Sequence, residues 1–137
     1  MAKKRTLNEV IHELPAGLDR AILRNLAFHK GRHRTIGREH LVYQLQRLGF
    51  EVQDRGVRAC INQLRKEGNI ICSVGGPNGG YYMAEDWNEL NEYITNEIHG
   101  RAMDLLEQEK ALRAAGEKTW GALSPEKQMK LGISDAG

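Results

Sequence analysis

Glycine sets the length of everything that can form between Thr35 and Ala84. Gly49 and Gly68 each stand where a one-sided apolar pattern stops, and the run Gly75-Gly76-Pro77-Asn78-Gly79-Gly80 excludes regular structure. What remains between these stops is short. Residues 38–48 carry Leu41, Leu45 and Leu48 at one-face spacing with Val42 beside them, which is a helix that Gly49 closes. Phe50 and Val52 then pack into the corner, Asp54 is the expected N-cap, and a second helix runs over 55–67 to Gly68. Residues 69–74, with Ile70, Ile71 and Val74, read as a strand, and Tyr81-Tyr82-Met83 reads as its partner across the glycine loop. Upstream, Leu18, Ile22, Leu23 and Leu26 trace a further amphipathic helix over 18–28. The expected fold is mainly α with a small β-ribbon: a three-helix core containing two helices joined by a tight turn, then two short strands.

The second helix of that pair is chemically two-sided. At about 100° per residue, Val57, Cys60, Ile61 and Leu64 fall on the side that must meet a core. Arg55, Arg58, Asn62 and Lys66 fall opposite, with Arg65 on the flank. Gly56 and Ala59 are read as outward too, where small residues would admit another backbone. Arginine and asparagine carry the paired hydrogen-bonding groups that fit guanine and adenine edges in the major groove. The plain alternative is a solvated helix face. Position decides between them here: a polar face on the second helix of a helix-turn-helix, followed by a ribbon, favours DNA contact.

The run Val57-Arg58-Ala59-Cys60-Ile61-Asn62-Gln63-Leu64-Arg65-Lys66-Glu67-Gly68, followed by Ile70 to Ser73 and Gly79-Gly80-Tyr81-Tyr82-Met83-Ala84, resembles the winged helix domains of bacterial and bacteriophage regulators. It is similar in pattern to the N-terminal domain of the biotin operon repressor. The resemblance covers 18–84 and implies a winged helix-turn-helix; a C-terminal helical extension after it is expected from the apolar pattern downstream. It implies that the helix from Arg55 is the recognition helix and that Gly79-Gly80-Tyr81-Tyr82 starts the second strand of the wing. It also implies base or phosphate contacts from Arg55, Arg58 and Asn62, and a wing-tip contact from Asn78. With Arg38 at a helix start, Gln53 in the turn, and Arg65 and Lys66 further along the helix, these make the candidate double-stranded DNA-binding set. No biotin-ligase region follows, so that enzymatic activity is not implied.

Charge is segregated along the chain. Residues 1–84 hold 14 Lys and Arg against 7 Asp and Glu, a formal +7, whereas 85–137 hold 6 against 11, a formal −5. A basic module gains encounter rate and sequence-independent affinity for a polyanion through counterion release. The acidic half suits solubility, protein contacts or avoidance of DNA. Thr6-Leu7-Asn8-Glu9 has the form of a capping box for a short helix ending before Pro15, so 1–17 read as a basic arm plus that helix. Lys3, Lys4 and Arg5 either reach DNA or form an ordinary disordered terminus. The basic loop His29-Lys30-Gly31-Arg32-His33-Arg34 is a second place for phosphate contact. His29, His33 and His40 lack the partners that would complete a metal site, and the two cysteines, Cys60 and Cys72, read as small core residues in a reducing setting. No metal, no cofactor and no enzyme are expected: the glycine loop lacks the Gly-Lys-Ser/Thr of a phosphate-binding loop, and no nucleophile stands beside a base. No apolar run near a membrane-spanning length is present, so no membrane association is expected, and the bacterial cytosol, with the nucleoid, is the expected location.

Downstream, Trp87, Leu90, Ile94, Ile98, Leu105 and Leu112 line one side of a helical pattern over 86–115 that Gly100 interrupts, giving one kinked helix or two. Trp87, Leu90 and Ile94 are expected to pack on the preceding module. The far half is expected to pair in a homodimer, the alternative being that Leu105, Leu106 and Leu112 fold back on Leu7 and Ile11. Residues 117–137 read as a loose tail. The leading functional expectation is a sequence-specific DNA-binding protein, most simply a bacterial or phage transcriptional regulator. A phage replication, packaging or excision protein would use the same module, and a winged helix serving as a protein-interaction module is the rival class.

Overall fold

The structure is a computed structural model and describes residues 14–122. The arm and short helix expected before residue 14, and the tail from 123, lie outside the described residues. Three helices form the centre: α1 (Leu18–Leu26), α2 (Arg38–Arg47) and α3 (Asp54–Lys66). Their apolar sides meet in one core of Leu18, Ile22, Leu26, Leu41, Leu45, Val57, Ile61 and Leu64, all nearly inaccessible to water. Gly49 and Gly68 stand one residue past the C-caps of α2 and α3, Leu48 and Glu67 being those caps, and take φ of 97° and 98°, the left-handed turn that a Cβ would resist.

Three local expectations are corrected by this packing. Leu48 is 67% exposed and does not join Leu41 and Leu45. The chain reverses at Gly49, the Phe50 N–H returns to the Leu45 carbonyl at 3.1 Å, and Phe50 and Val52 fill the corner in its place. Asp54 is the first residue of α3 and not its N-cap; Gln53 holds that position without a side-chain capping bond. Gly56 and Ala59 do not face outward. Ala59 is buried, and a Cβ on Gly56 would lie 2.8 Å from Val52 Cγ2 and 3.1 Å from Leu14 Cδ2. Because α3 touches α1, α2 and the sheet at once, its buried side is wider than a single stripe.

The sheet has three antiparallel strands in the order β1-β3-β2: β1 (Ile36–Gly37), β2 (Ile71–Val74) and β3 (Gly80–Met83). The ribbon is thus as expected, whereas β1, two residues long, is an addition. Ile36 pairs with Tyr81 and Gly37 with Gly80, while Ile71, Cys72, Ser73 and Val74 pair with Met83, Tyr82, Tyr81 and Gly80. Alternation along β3 sends Tyr81 into the helical core and Tyr82 to the opposite face. That second face is covered by α4 (Trp87–Tyr93), which Asp86 caps by accepting from the Glu89 N–H at 2.8 Å. Leu90 and Tyr93 pack there against Cys72, Tyr82 and Ala84. Trp87, 70% exposed, and Ile94 do not. Cys60 and Cys72 are buried and unpaired; burial, aided by Asp19 and Glu67, pushes the Cys60 thiol up to about 11 and keeps it neutral.

The chain falls into two units, one up to Ile94 and one from Thr95. The second contains most of a π-helical stretch, Ile94–His99, and then α5 (Gly100–Trp120). The α-helical pattern is thus interrupted over Ile94–His99, ahead of Gly100, which opens α5, and α5 continues through Gly116 to Trp120, beyond the expected end at 115. Leu105, Leu106 and Leu112 are all exposed on it. Among the described residues no helix is long and apolar enough to cross a membrane.

Candidate nucleic-acid interface

Burying Val57, Ala59, Cys60, Ile61 and Leu64 leaves α3 a narrow polar face, and the structure places Arg55, Arg58, Asn62 and Lys66 along it, all exposed. Their spacing of three to four residues makes a single stripe running the length of the helix. At its start Arg58 Nε meets Asp54 Oδ2 at 3.0 Å, one turn earlier. With side chains 59% and 49% exposed, this pair contributes little to stability. Its effect is directional, because it holds the guanidinium toward the first residue of α3.

The loop between β2 and β3 stands next to the start of α2. Arg38 fastens it there twice: its backbone N–H donates to the Gly79 carbonyl at 3.2 Å and its Nη2 to the Gly76 carbonyl at 3.0 Å. Arg38, half-buried, therefore positions the loop as well as bordering it. Together these elements enclose an open groove of about 850 Å³, lined by Arg38, His40, Tyr43, Gln53, Pro77 and Asn78 among others. Four sequence-derived candidates thus meet the groove or its rim: Arg38, Gln53 and Asn78 line it, and Arg58 is tied to Asp54, which lines it too. Arg55, Asn62 and Lys66 continue the same helix face.

Arg65 is the exception. Its guanidinium is turned inward, with Nε donating to the Ile71 carbonyl at 2.8 Å and the carbon of the guanidinium 5.4 Å from the centre of the Tyr93 ring. It is a strut between α3, β2 and α4, not a free cation on the flank. Asn62 Oδ1 lies 3.4 Å from Arg65 Nη1, at the long end of hydrogen bonding.

His40, Tyr43 and Gln46 were not among the sequence-derived candidates, yet they belong to the groove. Gln46 also holds the turn, with Nε2 donating to the Val52 carbonyl at 2.9 Å. Arg47 lies over the Tyr43 ring at 5.9 Å from its centre. The signal for His40 and Tyr43 was present in the sequence: with Arg47 one turn on, they repeat at helical spacing away from Leu41 and Leu45, a stripe that leaves Gln46 out. Among the described residues no cluster of three or more His, Cys, Asp or Glu has the geometry to hold a metal ion. His29 instead shares a hydrogen bond of 2.8 Å with the Arg34 carbonyl, and His40 one of 2.9 Å with Gln44 Nε2. No protein-family model, no curated protein and no solved structure matches this chain.

Proposed function

We propose that this chain is a sequence-specific double-stranded DNA-binding protein of the winged helix-turn-helix type. One observation carries the reading: α3 is closed on its apolar side by the core and open along Arg55, Arg58, Asn62 and Lys66, and its first residues share a groove with a glycine-rich loop tied to the start of α2. A helix of this polarity fits the major groove, where arginine reads guanine O6 and N7, while the loop carrying Asn78 reaches the adjacent backbone or minor groove. The formal +7 on 1–84 supplies the sequence-independent part of the affinity. A transcriptional regulator of bacterial or bacteriophage type, working on the nucleoid in the cytosol, is the simplest role. Phage replication, packaging or excision would employ the same surface.

The test is enrichment of genomic fragments by the purified protein, followed by sequencing. A single recovered site supports the reading; no enrichment over input overturns it in favour of a protein-interaction module. At that site Arg58→Ala is expected to weaken binding by about 1–3 kcal/mol, and its melting temperature should match the parent because only an exposed ion pair is lost. Unchanged affinity would take Arg58 off the reading face.

The reading extends to a homodimer through 86–115. Leu105, Leu106 and Leu112 lie exposed on α5, and a two-fold mate is the commonest cover for such a helix. Two copies would present two α3 helices to successive turns of DNA. Sedimentation equilibrium should return twice the monomer mass at micromolar protein, and a monomer mass would mean that these leucines are covered within one chain.

A further inference from the structure

The loop between β2 and β3 is held more firmly than its glycines suggest. The ladder ends at the pair Val74 and Gly80, so residues 75–79 project beyond the sheet. The Gly79 N–H donates to the Gly76 carbonyl at 3.0 Å, which closes a β-turn with Pro77 and Asn78 at its two corners. Among the described residues only glycines take a positive φ, so Asn78 excludes a type II turn and leaves type I, with proline at its favoured first corner. The returning arm is tight: a Cβ on Gly79 would collide with the Val74 carbonyl oxygen and lie 2.9 Å from that of Gly76. The outgoing arm is open, with nothing within 4 Å of a Cβ on Gly75 or Gly76. The Arg38 guanidinium ties that arm to α2, its Nη2 donating to the Gly76 carbonyl at 3.0 Å. The Arg38 N–H ties the other end through the Gly79 carbonyl at 3.2 Å. One tie would let the turn pivot about Gly79; two, on either side of Pro77 and Asn78, fix where the tip stands.

Resting on the reading of α3 and this loop as the DNA-binding surface, we propose that Arg38 is a positioning residue: its side chain holds the Pro77–Asn78 turn in place before DNA arrives, and the contact of Asn78 with DNA depends on it. Asn78 is exposed at the tip. A glycine-rich loop left loose would have to be ordered on binding, and that lost entropy would offset what one polar contact gains. The tether removes this cost in advance. The guanidinium keeps other donors, and any phosphate contact these make adds to its hold on Asn78 without replacing it.

Affinities at a DNA site selected by the full-length parent test this, with Asn78→Ala introduced into the parent and into Arg38→Met, at salt low enough for all four proteins to bind. Methionine keeps the apolar stem and the backbone bond to Gly79 but donates nothing to Gly76. In the parent, Asn78→Ala is expected to weaken binding about tenfold. In Arg38→Met it should change affinity by less than about twofold, because the contact is already lost. A tenfold loss in both backgrounds overturns the proposal, and so does no loss in the parent. Removal of the Arg38 charge cannot imitate the expected result, since it weakens Arg38→Met alike with and without Asn78→Ala. In the free protein, the backbone amide order parameters of Gly75, Gly76 and Asn78 should be about 0.85 and fall below about 0.6 in Arg38→Met, with the melting temperature near that of the parent. A loop equally ordered, or equally mobile, in both proteins means that Arg38 does not hold it, whatever the protein binds. If order is lost as expected but the parent selects no DNA site, the tether stands and the DNA reading falls, taking the role of Asn78 with it.

Discussion

Gly80→Ala should lower the melting temperature by more than about 10 °C, corresponding to roughly 3 kcal/mol or more for a module of this size. Gly80 is where all three strands meet, paired to Gly37 on one side and to Val74 on the other. A Cβ there would sit 1.8 Å from the Ile36 carbonyl oxygen, 2.6 Å from its carbon and 2.9 Å from Gly37 Cα. All three atoms are backbone, so no side chain can swing aside. Relief requires β1 to leave β3, which frees the Ile36 and Gly37 pairing and shifts the neighbouring bond from the Arg38 N–H to the Gly79 carbonyl. Gly75→Ala is the control: nothing lies within 4 Å of its Cβ position and its φ is not in the left-handed region. Thermal unfolding of the two variants beside the parent decides the matter. Similar melting of Gly80→Ala and Gly75→Ala would show that β1 does not pair as described.

The second large effect is expected from Leu64→Ala, at about 2–5 kcal/mol of lost stability. Leu64 is 3% exposed and lies in the core shared by α1, α2 and α3. Two bonds end on its carbonyl, from the Asn69 N–H at 3.0 Å and from Asn69 Nδ2 at 2.9 Å, so the turn out of α3 is anchored at the same residue. Removing the side chain leaves a cavity that neighbours on rigid helices fill only in part. The measurement is denaturant unfolding of the isolated variant. Together with Arg58→Ala, which should leave stability unchanged, it separates the two faces of α3: one face sets folding, the other sets binding. A Leu64→Ala protein as stable as the parent would mean that the core tolerates the gap by collapse.

Much of this architecture was legible before the structure because its causes are local. Helical spacing of Leu18, Ile22 and Leu26, and of Val57, Cys60, Ile61 and Leu64, sorts each helix into a buried and an open side. Gly49 and Gly68 end α2 and α3 where a positive φ is required, and the glycine loop separates two β-prone runs. The open stripe of Arg55, Arg58, Asn62 and Lys66 follows from the same periodicity. The errors came at the margins of that logic. Angle alone misplaces Leu48, Gly56 and Ala59: the chain reversal at Gly49 exposes the first, Val52 and Leu14 close over the second, and the wide buried side of α3 takes in the third.

What the sequence by itself determined, then, is the order of the three helices and the ribbon, the stops at Gly49 and Gly68 and the open polar stripe of α3, since spacing and turn chemistry act over a few residues. Only the tertiary structure decided the pairings between distant residues. Ile36 becomes a strand because Tyr81 meets it, and two residues carry no periodicity of their own. Tyr93, not Trp87, covers the sheet because the face of α4 is chosen by where β2 and β3 lie. Arg65 turns inward because Ile71 and Tyr93 offer it a carbonyl and an aromatic face, and a guanidinium takes such partners when they come within reach.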